Sequence, residues 1–389
     1  MHFQHIDLDR LSTPCYLYDT RLLRRTLDEI SRTRSQEQFV HYALKANTNP
    51  ALLEIISKQG FGADCVSGGE VKRALEAGFR PSGIFFAGVG KADWEIELAI
   101  GAGIGCFNVE SIPELEVISA IARQMGKEAS IAFRVNPNVD AHTHKKITTG
   151  LSENKFGIAV EELPSAIALA KTLPHISYKG LHFHIGSQIT DLAPFVQLAL
   201  RINEIQANLA DAHGLPQIID VGGGLGVDYD MPDEAPIADF ASYFQTFRQH
   251  LQLRPGQEMH CELGRSVVAQ CGSLLTKVLY VKQSPNKQFV ICDAGMTDLL
   301  RPALYGSYHK CQNLTADYEA ASFGNAGMRP ALRYDVVGPI CESSDVFLTD
   351  YTMPETRRGD YLLLRSAGAY GETMASQYNS RPLPKTHLY

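Results

Sequence analysis

Three short polar motifs, HFHIGSQ (182–188), DVGGGLG (220–226) and HCELGRS (260–266), each close an apolar run. They recur about every 40 residues, the spacing of successive βα units. That spacing predicts His184, Gly224 and Glu262 on one rim of a parallel barrel, the rim on which barrel enzymes carry their chemistry. Upstream, QFVHYALKAN (38–47) has the same design, an apolar strand ending in Lys45. A cation is out of place in a buried strand unless it has a task. A partly desolvated lysine loses its proton more easily and becomes a nucleophile. A carboxylate such as Glu262 holds a pyridine nitrogen in its protonated form, and His184 offers a flat ring for stacking, with Ser187 within reach of a phosphate. The run Gly222-Gly223-Gly224-Leu225-Gly226 follows the seventh apolar run, where barrels commonly grip phosphate with converging backbone N–H groups. Lysine, histidine, glycine nest and carboxylate together suffice to hold pyridoxal phosphate (PLP), whose ring accepts electrons from a substrate carbanion. Each also has a plainer reading: a surface lysine, a satisfied core histidine, a tight turn, and a Glu262 carboxylate paired with Arg265.

The elements that must position these residues are legible as alternation. Eight apolar runs read as strands: VHYAL (40–44), GADCVS (62–67), IFFAG (84–88), GCFNVE (105–110), IAFRVN (131–136), YKGLHFHIG (178–186), IIDVGG (218–223) and MHCELG (259–264). Between them lie amphipathic stretches such as NPALLEIISKQG (49–60), GGEVKRALEAG (68–78), IPELEVISAIARQMG (112–126) and EELPSAIALAKTL (161–173). The alternation predicts an α/β fold, a (β/α)8 barrel over residues 12–265. Past Ser266 helical periodicity gives way to β-rich runs at 267–283, 288–295, 332–341 and 361–370, with turns marked by SPNK and TMPETRRGD. A C-terminal β domain of sandwich or barrel type is expected over 266–389, joined by residues 1–11. The polar stretch 138–155 reads as a mobile lid. Its His142 and His144 lack a third ligand nearby and are not taken as a metal site.

Bulk properties exclude several classes. At 389 residues and 42.8 kDa the chain has room for a barrel and a smaller partner domain. A net charge of −7 lacks the basic field that nucleic acid requires. No apolar run approaches a membrane helix, and MHFQHIDLDR lacks a signal-peptide core, so a cytoplasmic protein is expected. The 8 cysteines form no CxxC pair and read as reduced core thiols, Cys341 excepted.

Seven motifs in order, YALKAN, HIGSQ, GGGLG, ELGRS, DAGMTDLLRPALYGSYH (293–309), GPICESSD (338–345) and GAYGETMASQYN (368–379), resemble the diaminopimelate decarboxylases. These are fold-type III PLP enzymes with an alanine-racemase-like TIM barrel and a β domain. The resemblance implies PLP-dependent decarboxylation of meso-2,6-diaminopimelate to L-lysine and CO2, the last step of lysine biosynthesis. It implies Lys45 as the lysine bonded to the cofactor, His184 on the ring, Glu262 at the ring nitrogen, and Ser187, Gly223, Gly224, Gly264 and Arg265 on the cofactor side. Arg265, Arg301 and Tyr305 would hold the substrate's distal carboxylate and Glu342 its distal ammonium. Cys341 would return a proton to the carbanion, and Tyr370 would contact cofactor and substrate. It further implies a homodimer with shared active sites, Cys341 and Glu342 reaching the neighbouring subunit. Leu263 stands where the family often has proline, a backbone restraint rather than a ligand. Ornithine, lysine or arginine decarboxylases of the same fold tend to carry Asp after the cysteine, whereas this chain has Glu342 and also Arg301. A non-catalytic PLP-binding protein would be expected to lose Lys45 or Cys341; both are present.

Overall fold

Residues 8–139 and 155–389 are described by the structure, a computed structural model. His142, His144 and residues 140–154 of the expected lid lie outside the described residues, as do residues 1–7 of the N-terminal stretch. Strands follow in chain order as β1 (Cys15–Tyr18), β2 (Gln38–Ala43), β3 (Gly62–Cys65), β4 (Ile84–Phe86), β5 (Cys106–Val109), β6 (Ala129–Asn136), β7 (Ile158–Ala159), β8 (Ile176–His182), β9 (Ile218–Asp220) and β10 (Glu258–Leu263). The series continues with β11 (Gly272–Gln283), β12 (Gln288–Cys292), β13 (Cys311–Asn313), β14 (Ala331–Val337), β15 (Val346–Pro354), β16 (Tyr361–Leu364) and β17 (Lys385–Leu388).

One unit comprises Arg24–Gly226 and Ala238–Val267. In it β2, β3, β4, β5, β6, β8, β9 and β10 pair in parallel, and β10 returns to β2 to close the ring, with β7 added beside β6. This is the (β/α)8 barrel that the eight apolar runs predict. Helix starts follow local chemistry. Ser67 accepts from the Glu70 amide at the head of Gly68–Glu76, and Ser111 caps Ile112–Met125, which stops at Gly126 in the left-handed conformation. The strands are nearly all buried because helices cover their outer faces.

The other unit comprises the chain through Leu23, Val227–Ile237 and Val268–Tyr389. Its mixed sheet runs β13-β16-β11-β12-β14-β15, with β1 antiparallel to β11 and β17 parallel to β1. Leu275 on β11 and Leu363 on β16 pack with Cys15 and Leu17 of β1 in one buried cluster. Two helices, Arg301–Tyr305 and Leu314–Phe323, correct the expectation that this region is free of helix. Leu314–Phe323 buries only Ala316, so it shows no amphipathic stripe; its start is fixed by Asn313, whose side chain accepts from the Ala316 amide.

Candidate active site

Inside the barrel, side chains are arranged in tiers. The lower tier packs Phe85, Cys106, Ala132 and Ile218 with two stacked histidines, His41 and His260. Gly62 makes room for the first of these: a Cβ there would lie 2.3 Å from His41 Nδ1. Above, where bulky aliphatics usually fill such barrels, Asp64, Asn108, His182, Asp220 and Glu262 are all buried. Strand register aligns Arg134 with His182 and His182 with Asp220.

Glu262 is the centre of this tier. Its Oε1 accepts from Asn108 Nδ2 at 3.1 Å, and its Oε2 faces His182 Nε2 at 3.0 Å. Burial alone raises its pKa, but His182 and then Lys45 outweigh that and hold the carboxyl well below the usual range. The Glu262–Arg265 pair read from sequence is not formed: Arg265 Nη2 instead donates to Ser187 Oγ at 3.0 Å. Glu262 on a strand and Arg265 just past its end point in different directions.

Lys45 lies one step beyond its strand, in the 3-10 turn Leu44–Ala46 that follows β2. Its Nζ is 3.1 Å from Oδ2 of Asp64, on the neighbouring strand β3, so a fully buried carboxylate fixes the ammonium at the barrel mouth. His184 lies two residues past the end of β8, and its Nδ1 accepts from the Gly223 amide at 3.2 Å. Burial, reinforced by Lys45, pushes the His184 pKa well down, favouring the neutral imidazole. A Cβ at Gly223 would fall 2.0 Å from the Glu262 carbonyl oxygen, and one at Gly224, with φ +110°, 2.7 Å from that of Gly186. Only a chain without side chains at both points can pass there. Gly264 is tight too, 3.1 Å from the Cβ atoms of Ala43 and Ala46. Nucleophilic amine, anionic carboxylate, neutral ring and glycine cradle fit PLP by donor type, and Lys45, His184, Ser187, Gly223, Gly224, Glu262, Gly264 and Arg265 all belong to this one unit.

The remaining candidates belong to the β unit. Arg301 is buried at the start of its helix, Nη1 donating to Tyr229 Oη at 2.7 Å and Nη2 to Ser307 Oγ at 3.2 Å. Tyr305 ends the same helix, half-buried. Cys341 and Glu342 lie in the bend between β14 and β15; Cys341 alone of the 8 cysteines is exposed, and the other seven are buried. Glu342 Oε1 accepts from Tyr378 Oη at 2.9 Å, and Asn379 Oδ1 accepts from the Cys341 amide at 3.3 Å. Tyr370 has φ +56°, a conformation a bulky side chain adopts only under constraint.

Sequence reading missed Asp64, Asn108, His182 and Asp220. A signal existed for His182: two residues before His184, it faces the same side of the strand. Asp64 and Asp220 likewise interrupt apolar runs as Glu262 does.

Residues 21–269 match the pyridoxal binding domain of the pyridoxal-dependent decarboxylases. The chain is 55% identical over 377 residues to a diaminopimelate decarboxylase of Bacteroides thetaiotaomicron, covering 96% of this chain and 95% of that one. Identity to a Helicobacter pylori diaminopimelate decarboxylase is 44% over 372 residues, covering 95% and 88%. A crystal structure of diaminopimelate decarboxylase from Helicobacter pylori complexed with L-lysine superposes with a TM-score of 0.88 at 41% identity, covering 98% of this chain and 93% of that one.

Proposed function

The chain belongs to the diaminopimelate decarboxylase family of PLP-dependent enzymes, and from that premise we propose how its residues divide the work. The reaction is loss of CO2 from meso-2,6-diaminopimelate to give L-lysine. Bound in the barrel, PLP supplies the electron sink for the pair left by the departing carboxylate. Lys45 holds the cofactor through Nζ, and Asp64 keeps that nitrogen in place. Glu262, kept anionic by His182 and Lys45, would hold the ring nitrogen, and neutral His184 would stack on the ring. Ser187, Gly223, Gly224, Gly264 and Arg265 serve the phosphate side. The observation that carries this reading is Glu262: a buried carboxyl group paired with His182 and Asn108, in the barrel that also holds Lys45.

For the substrate's far end, Arg265, Arg301 and Tyr305 are assigned to the distal carboxylate and Glu342 to the distal ammonium. A fixed cationic fork plus one anion is what such a zwitterionic end requires. Cys341 is the proton donor, with Tyr370 at cofactor and substrate. Support for Cys341 is its exposure, which sets it apart from the seven buried thiols. A homodimer with shared sites and a cytoplasmic location complete the proposal. Cysteines without disulfides support the location. Among the described residues no helix is long and apolar enough to cross a membrane.

Product analysis after incubation with separate diaminopimelate stereoisomers, alongside ornithine and arginine, tests the assignment. Lysine from the meso isomer and no amine from ornithine or arginine is the expected result; turnover of ornithine at comparable kcat/KM would overturn the substrate.

A further inference from the structure

The polar tier carries three buried carboxyl groups, Asp64, Asp220 and Glu262. Asp64 has Lys45, and Glu262 has His182 and Asn108. Among the described residues Asp220 has neither a cation nor a side-chain amide: its Oδ1 accepts from the Gly222 amide at 2.8 Å, and its buried Oδ2 finds no donor when Asp220 is taken as a carboxylate. Yet Asp220, His182 and Glu262 bring one ligand atom each within 4.8 Å of one another, and all three are buried, Asp220 at 0% exposure. Two ionised carboxylates at that range and at that burial repel strongly. A proton on Oδ2 removes the repulsion and turns the orphan into a donor toward Glu262.

We propose that Asp220 is a positioning residue which stands as the neutral acid at neutral pH, donating Oδ2–H toward Glu262 so that Glu262 remains the ionised carboxylate for the ring nitrogen. Burial first, then Glu262, pushes the Asp220 carboxyl well above the usual range, in keeping with this. The titratable groups acting on or beside it are Glu262, Asp64, His182, Cys106, Cys261 and Tyr243, and among them the two carboxylates disfavour its ionisation. The catalytic consequence rests on the assignment of Glu262 to the ring nitrogen; the protonation itself does not.

The test therefore has a cofactor-free arm. Infrared spectra of cofactor-free protein at neutral pH are expected to show the carbonyl stretch of a protonated carboxylic acid that vanishes in Asp220→Asn and persists in Asp64→Asn. In the loaded enzyme Asp220→Asn, which keeps a donor in place, should leave the pH titration of the cofactor absorbance unmoved and kcat/KM within about threefold. Asp220→Val, which cannot donate, should shift that titration and lose on the order of tenfold or more in kcat. Absence of the acid band from cofactor-free wild type, or an Asn variant whose titration shifts as the Val variant's does, overturns the proposal. Should Val fail to fold, the infrared comparison of wild type with Asn decides alone. An acid band in a protein that takes up no PLP would instead count against the cofactor assignment and leave Asp220 protonated.

Discussion

Lys45 and Glu342 are the residues whose loss separates chemistry from recognition. Lys45→Ala removes the amine assigned to bond the cofactor aldehyde, so turnover should fall to background and borohydride should no longer fix cofactor to the chain. Spectra before and after reduction check this, and a variant that still retains reduced cofactor after denaturation would transfer the role to another lysine. Glu342→Ala removes an exposed carboxylate held, among the described residues, by Tyr378 and Ser344, so little fold stability is at stake. Its expected signature is a KM for diaminopimelate raised about tenfold or more, as for a lost charge-assisted contact. Equal kcat/KM in mutant and parent would remove Glu342 from the substrate site.

Among the elements, the glycine turn after β9 and the histidine pair of β2 and β10 make separate demands. Gly223→Ala would drive a methyl against the Glu262 carbonyl, costing about 1–3 kcal/mol and loosening the cofactor cradle. Thermal melts with and without PLP check both, the loss being larger in the loaded form. In the lower tier, burial and then His260 bring the His41 pKa from 6.5 to about 3, and burial brings that of His260 to about 4. The unfolded chain takes up protons on both rings below pH 6.5, while the folded chain does not until the lower values are reached. Stability from this pair is therefore full above 6.5 and is lost as pH falls toward about 4. Urea midpoints should drop over that window in the parent and less in His260→Gln; parallel curves for the two proteins would contradict the assignment.

At the scale of the whole molecule, the proposed homodimer with shared sites makes a prediction that no single chain can meet. Inactive Lys45→Ala and Cys341→Ala chains, unfolded together and refolded, would form mixed dimers in which one of the two sites has both residues intact. Activity should return to about a quarter of wild type under statistical mixing. No recovery, with dimers present on sedimentation, would mean that each subunit completes its own site.

By itself the sequence determined the barrel, because the alternation of buried strand and amphipathic helix is written in local periodicity. It also placed Lys45, His184, Gly224 and Glu262, since residues at strand ends inherit their position from the strand. Asp64, Asn108, His182 and Asp220 needed the tertiary structure. They are far apart in the chain and become neighbours only when β10 closes on β2, and a buried polar residue acquires meaning from partners that local pattern cannot name. The same holds for Leu314–Phe323, a helix whose single buried residue leaves no stripe to read, and for β1, an apolar run whose sheet is decided by its pairing with β11 and β17.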